Sequence, residues 1–198
     1  GEAAQLSQLE IHKKMRIPDH PRIYLTSESA EQVRKRIAAE PEIKKLYEHY
    51  LNYMLKSCRG GDTRERFNAW ATGWWMTSVG IAWNLSDDPV LLEEAQAQLV
   101  RLESPWVKGL GHFEHPQVLG GAASLLDLVW NGLSRDEQKR FGRVLLEMAD
   151  KQQKAWRFSD LSNQIYVNSG KNVLTGLALA GAGIDAEKEA FYLRQAED

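Results

Sequence analysis

Amide and phenol side chains are concentrated in one short segment, at Asn163, Gln164, Tyr166 and Asn168. It runs directly into residues 173–180, where nearly every side chain is small or aliphatic, so a helix there must be enclosed by other helices. The start of such a helix carries unpaired N–H groups and the positive end of the helix dipole. The segment therefore predicts an anion-binding site, although Asn and Ser also serve as helix caps and turn residues.

Two further groups of polar and basic residues stand at the starts of apolar segments. They are Arg64, Arg66 and Asn68 around the start of residues 67–85, and His112, His115 and Gln117 ahead of residues 118–130. Basic and amide groups at a helix start can hydrogen-bond an anion, so these residues are candidate binding residues. The two histidines could instead bind a metal, but no third and fourth ligand is near them in sequence, which favours loop packing or sugar contact.

The rest of the chain predicts helices that alternate between fully apolar and amphipathic. The apolar segments 67–85, 118–130 and 173–180 recur about every 48 residues. The segments between them have one polar face, and one of them opens with the capping box of Ser134 and Glu137. No segment shows the alternation of a strand. The pattern indicates an all-α fold of helical hairpins that form part of an (α/α) toroid, an incomplete barrel.

This repetition also predicts where the polar groups lie. Because each hairpin repeats the previous one, the inner helices should run parallel, with their N-termini and the three polar groups on one rim. Trp74 and Trp75 could stack on sugar rings, but their apolar context inside a helix favours the core. Residues 1–19 are polar and contain Pro18, which predicts an N-terminal arm before a partial toroid domain at 20–198.

Composition excludes several classes of function. The net charge of −2 and the absence of a basic tract argue against nucleic-acid binding. No stretch is apolar for long enough to span a bilayer, and the first residues lack the basic and apolar plan of a signal peptide. The single cysteine, Cys58, permits no internal disulfide, and its apolar neighbours favour a buried structural thiol.

Three segments resemble the heparinase II/III-like polysaccharide lyases, including their alginate-lyase-like branch. The run HPRIYLTSESAEQVRKRI at 20–37 is similar to the family's entry segment, and LDLVWNGLSRDEQ at 126–138 is similar to a turn between a buried helix and its outer partner. The run SNQIYVNSG at 162–170 resembles the active-site Asn motif. The resemblance covers most of the chain from His20 and implies the N-terminal α-toroid portion of such a lyase.

The resemblance implies a uronate-containing polysaccharide as the substrate and β-elimination as the reaction. Asn163 or Asn168 would stabilise the substrate carboxylate, with Asn163 preferred by its position in the motif. Gln164 stands where many family members carry His or Trp. Gln164, Tyr166, His112, His115, Arg64, Arg66 and Asn68 would bind substrate.

The family's Tyr base or acid and a further His come from later helices and a C-terminal β-sandwich domain, so this chain alone should be inactive. The resemblance also implies a periplasmic or secreted location. We expect no cofactor in this chain, and a structural metal in a following C-terminal part stays open.

Two other classes of function remain as alternatives. A helical-repeat scaffold would bind a protein partner through its concave face and would need no rim of amides and basic residues. An inverting glycoside hydrolase on the same toroid would need two carboxylates about 6.5–9.5 Å apart. Acidic residues near the predicted rim are few, namely Asp62, Glu65, Glu114 and Asp160, so the hydrolase ranks below the lyase.

Overall fold

The structure, a computed structural model, describes residues 19–60, 68–111, 113–155 and 164–195; for residues 155 and 164–169 it describes the backbone alone. Every regular element in these ranges is a helix, which confirms the predicted all-α class. The helices are α1 (Ser27–Ala39), α2 (Pro41–Arg59), α3 (Ala69–Ser86), α4 (Pro89–Arg101), α5 (Pro105–Lys108), α6 (His115–Val129), α7 (Arg135–Ala155), α8 (Gln164–Leu179) and α9 (Ala186–Arg194), with a 3-10 turn at Trp130–Gly132.

The helices α3 and α6 pack closely and run in the same direction. A Cβ atom added at Gly73 would lie 2.3 Å from the carbonyl oxygen of Gln117, and one added at Gly80 would lie 2.8 Å from the Leu128 side chain. Positions further along α3 therefore meet positions further along α6, as parallel helices require. Glycine at Gly73 permits this approach because any side chain there would collide with the backbone of α6.

The next pair of inner helices, α6 and α8, is also parallel. Near the helix starts, the side chain of Lys171 lies against Gly120. Near the ends, Arg22 joins the two helices, because its N–H donates to Asp127 Oδ2 at 2.8 Å and its Nη1 donates to the Ala180 carbonyl at 2.9 Å. The predicted parallel inner helices are thus confirmed, and α3, α6 and α8 all begin at one end of the molecule.

The amphipathic helices form an outer layer against these three. α4 packs on α3, where Trp75 Nε1 donates to Glu94 at 3.0 Å. α7 packs antiparallel to α6 and begins with the predicted capping box, in which the Ser134 N–H donates to Glu137 Oε2 at 2.8 Å. α9 packs closely on α8 beside Gly176. The hairpins therefore form two layers, with the core where the layers meet.

The entry segment is fixed to the C-terminal end of α6 by the buried carboxylate of Asp127. His20 Nδ1 lies 2.7 Å from Asp127 Oδ1, and the N–H groups of Arg22 and Ile23 each donate to Oδ2 at 2.8 Å. The His20 ring also stacks on Trp130 with ring centroids 4.4 Å apart. Burial lowers the pKa of His20. This cluster secures the chain at the end opposite the helix starts.

Two of the three inner helices are less enclosed than their sequences predict. α6 is buried along its whole length apart from Gln117. On α3, however, Trp74 is 76% exposed, so the prediction that it belongs to the core is wrong, whereas Trp75 is 6% exposed and lies in the core. On α8, Val173, Leu174 and Leu177 are only half-buried. The reason is that, within the described residues, α3 and α8 flank the inner layer, and each has an inner neighbour on one side only.

Candidate functional site

The predicted substrate-binding residue Asn68 caps the start of α3. Its side-chain oxygen accepts a hydrogen bond from the Ala71 N–H at 2.9 Å. This bond satisfies one of the free N–H groups at the helix start, and the side chain is exposed to solvent. Asn68 therefore serves first as a helix cap at the predicted rim.

His115 is the first residue of α6, but its side chain points to the outer layer. The ring is 3% exposed, and Nδ1 lies 3.2 Å from Gln152 Oε1 on α7. Burial, assisted by the charge of Lys151, lowers the pKa of His115 to about 4, so the ring is neutral at physiological pH. The structure thus places His115 between the layers and away from the uncovered side of the inner helices.

The remaining predicted site residues are described in part or not at all. Gln164, Tyr166 and Asn168 lie in the first turns of α8, where the structure gives their backbone. Four others lie outside the described residues: Arg64, Arg66, His112 and Asn163. The start of α8 at Gln164 agrees with the predicted position of a polar helix start, and the contacts of these side chains stay predictions.

A pair of tryptophans dominates the uncovered side of α3. Trp70 and Trp74 are 51% and 76% exposed and lie one turn apart. They belong to one face because residues four apart in a helix are neighbours on its surface. The adjacent Trp75 points instead to α4 and donates to Glu94. Two aromatic rings are thus presented to solvent on the side that the outer layer does not cover.

A lysine lies on the same side of the inner layer. The side chain of Lys171 lies across Gly120 and is half-buried, while its neighbour Asn172 donates to Gln153 on α7 at 3.0 Å, on the covered side of α8. Gly120 is adjacent to Gly121, which, like Gln117, contacts Gly73 of α3. Lys171 is therefore at the level of the tryptophan pair.

We call the side of α3, α6 and α8 that points away from the outer layer the inner face, and define it by Trp70, Trp74, Gln117 and Lys171. Gln117 is the one residue of α6 that is not buried. The described ion pairs include none to Lys171. Aromatic rings, an amide and a cation together can stack on a sugar ring and attract its carboxylate.

Sequence reasoning missed Trp70 and Lys171 as site residues. A signal for Lys171 was present, because a single charged residue inside an otherwise apolar helix needs either a partner or access to water. Trp70 and Trp74 share the spacing of one helical turn, which also holds for core residues. Spacing alone could not separate a solvent-facing pair from a buried one.

The described residues contain little that would support metal or carboxylate chemistry at the rim. Glu114 is exposed and accepts a hydrogen bond from the Gly111 N–H at 3.2 Å, whereas Asp62, Glu65 and Asp160 lie outside the described ranges. Among the described residues no group of three or more His, Cys, Asp or Glu side chains is placed to hold a metal ion. Within the same residues, no helix has the length and apolar character needed to cross a membrane.

A scan against known protein families finds no match to this chain, and a search of the curated proteins finds none either. The resemblance of its three segments to polysaccharide lyases stays an expectation from the sequence.

Proposed function

We propose that this chain is the N-terminal, substrate-holding toroid portion of a polysaccharide lyase that cleaves uronate-containing polysaccharide by β-elimination, and that it is inactive by itself. The observation that carries the proposal is the exposed pair Trp70 and Trp74 on α3, with Lys171 at the same level on α8 across the intervening helix α6. These residues lie on the inner face, next to the end where the inner helices begin. In a closed toroid this face would line the central cleft.

The spacing of the tryptophans suits a linear sugar chain. Residues four apart rise about 6 Å along a helix, a length comparable to one pyranose unit. Successive sugar rings can therefore stack on Trp70 and Trp74, because the apolar face of a pyranose packs well on an aromatic ring. Lys171 can then pair with a uronate carboxylate from α8. This arrangement would favour acidic chains over neutral ones of the same shape.

The proposed reaction requires an amide that stabilises the charge developing on the substrate carboxylate. A base removes the C5 proton, its electron pair forms the C4=C5 double bond, and the C4–O bond breaks, with the leaving oxygen taking a proton from an acid. The C5 proton is weakly acidic because it lies next to a carboxylate that is already negative. An Asn side chain at the start of α8, Asn163 or Asn168, would hydrogen-bond that carboxylate as charge develops on it. By the resemblance, the base and acid would come from outside this chain.

The exposed tryptophans also support a second candidate, a helical scaffold that binds a protein partner. Tryptophan is enriched among the residues that contribute most to protein–protein binding. Such a partner would use Trp70 and Trp74 as apolar anchors and would not require Lys171. The inverting-hydrolase alternative has less support, since the described part of the rim offers Glu114 as its carboxylate and no second one close to it.

Binding of a defined oligouronate tests the proposal. We expect the chain to bind an oligogalacturonate, and to bind its fully methyl-esterified form more weakly because the ester carries no charge. Trp74→Ala should weaken binding of both forms about tenfold, through loss of stacking. Lys171→Gln should remove most of the preference for the acid. Isothermal titration calorimetry measures the six affinities, for the wild type and the two variants with each form.

A matched control is Trp106→Ala, because Trp106 is also partly exposed but lies on α5, outside the inner face. It should bind both oligosaccharides as the wild type does. If Trp74→Ala and Trp106→Ala have equal effects, or if neither oligosaccharide binds, the lyase proposal fails and the protein-binding scaffold becomes the better explanation of the exposed tryptophans.

A further inference from the structure

A cavity of about 660 Å³ lies on the other side of the inner helices from the inner face. Its walls come from Leu102 and Glu103 directly after α4, from the short helix α5 and from residues 140–151 of α7, and His115 forms part of its floor. This volume is within the range of small-molecule sites and too small for a polysaccharide. The site proposed above does not use this cavity.

The floor of the cavity is apolar. Leu102, Val107 and Met148 are buried, and Val144 is half-buried beside them. His115 adds a polar ring without a charge, because burial lowers its pKa to about 4. This floor is apolar and uncharged. A hydrocarbon or aromatic group can therefore bind to it, because the transfer of apolar surface out of water is favourable.

The rim of the cavity is positively charged. Lys108, Arg143 and Lys151 are exposed cations that line the cavity, and none of the described ion pairs involves them. Arg140 also lines it but is paired with Glu103. Glu147 is the remaining acid, so the rim has more positive than negative charge even when the ion pair is set aside.

The rim is also fixed in position. Lys151 Nζ donates to the Lys108 carbonyl at 2.8 Å, which connects α7 to the end of α5 between two residues that line the cavity. Arg143 Nε donates to the Lys139 carbonyl at 3.2 Å, so the guanidinium is anchored at one nitrogen while its other nitrogens can donate to a ligand. A guanidinium held in this way is suited to a carboxylate.

From the apolar floor and the cationic rim we infer that this cavity binds a small organic carboxylate with an apolar body, such as an alkyl carboxylate of medium length. An inorganic anion would meet the rim and leave the floor unoccupied. A neutral hydrocarbon would fill the floor but gain nothing from Lys108, Arg143 and Lys151, the cations that form no ion pair with the described residues. A carboxylate with an apolar tail uses both, and this separates it from either simpler ligand.

Octanoate is the probe that tests this inference, with 1-octanol as its uncharged analogue and acetate as the anion without a tail. We expect the wild-type chain to bind octanoate at one site, about tenfold more tightly than 1-octanol, and to bind acetate too weakly to measure. Titration calorimetry, supported by the shift in melting temperature with ligand, gives the affinities and the number of sites.

Variants in the cavity and outside it complete the test. Arg143→Gln should weaken octanoate binding about five- to tenfold and leave 1-octanol unchanged, whereas Lys139→Gln, an exposed cation of the same helix outside the cavity, should change neither. Val144→Phe should weaken both ligands by filling the floor. Because Arg143 is exposed, Arg143→Gln keeps the test valid even if Val144→Phe does not fold.

Equal affinity for octanoate and 1-octanol in the wild type would overturn the inference. An octanoate affinity that Arg143→Gln does not change would overturn it as well. Trp74→Ala should leave octanoate binding as it is, because the inner face is a separate surface. A loss of octanoate binding in Trp74→Ala would place the ligand on the inner face and would also contradict the cavity as its site.

Discussion

The helices α3 and α6 are both apolar on nearly every side, but they differ in how far they are buried. In α6, 14 of 15 residues are buried, whereas α3 leaves Trp70 and Trp74 in solvent. α6 packs between α3 and α8, and within the described residues α3 has an inner neighbour on one side only. An apolar pattern therefore identifies an inner helix without showing which of its faces are covered.

The side chains at the contact points carry the missing information. Where α6 meets its neighbours it has Gly120 and Gly121, and a Cβ added at Gly121 would lie 2.4 Å from the Gly73 carbonyl oxygen. The uncovered face of α3 carries two indoles. Small residues thus mark the faces where these inner helices touch, whereas a large aromatic residue does not by itself mark an open face, since Trp74 is exposed and Trp75 is buried.

The two sides of α3 are compared most directly by its adjacent tryptophans. Trp75→Ala should destabilise the chain by about 3–5 kcal/mol, because it leaves a cavity in the core and removes the hydrogen-bond donor to Glu94. Trp74→Ala should cost less than about 1 kcal/mol, because the side chain is 76% exposed. Urea denaturation of both variants measures the difference. Equal effects would mean that Trp74 is buried and that the inner face is closed.

The first residues of α6 and α3 also differ in burial. His115 is buried at the start of α6, and Trp70 is exposed near the start of α3. Since the pKa of His115 is lowered from 6.5 to about 4, the folded chain binds fewer protons than the unfolded chain between these values. His115 therefore does not reduce the free energy of unfolding above pH 6.5. As the pH falls from 6.5 towards 4, the free energy of unfolding decreases by about 3 kcal/mol in total, because protons bind more readily to the unfolded chain.

Denaturation curves at two pH values test how the free energy of unfolding depends on pH. The values are about pH 7.5, above the ordinary pKa of 6.5, and about pH 4.5, near the lowered pKa of His115. His115→Gln should make the free energy of unfolding less dependent on pH over this interval, even if it lowers stability at both values. His49→Gln replaces an exposed histidine and should keep the dependence of the wild type. If His115→Gln loses stability with acid as steeply as the wild type, the ring of His115 is accessible to protons in the folded chain.

The sequence predicted the arrangement of the helices better than it predicted the site. Each long helix was expected from its periodicity and caps, including the box at Ser134, whereas α5 was missed because four residues are too few to show a period. The predicted rim is partly described: Asn68 is exposed at it, and His115 is buried between the layers. Trp74 and Trp75 show why the faces could not be assigned, since neighbours about 100° apart in a uniformly apolar helix give no indication of which one is covered.

The smallest expected change in stability comes from replacing two glycines, one at a contact between inner helices and one in solvent. Gly121→Ala should destabilise the chain by about 1–3 kcal/mol, because the added methyl group meets the backbone of α3 and the two helices must move apart. Gly170→Ala is the matched control, because Gly170 is exposed in α8 with nothing within 4 Å of an added Cβ, and alanine there should stabilise the helix by about 0.5–1 kcal/mol. Changes in melting temperature of opposite sign for the two variants would confirm that α6 contacts α3 through its backbone. A stabilising Gly121→Ala would instead show that these helices are not in direct contact, and the argument that Trp74 and Lys171 lie at the same level of the inner face would then fail.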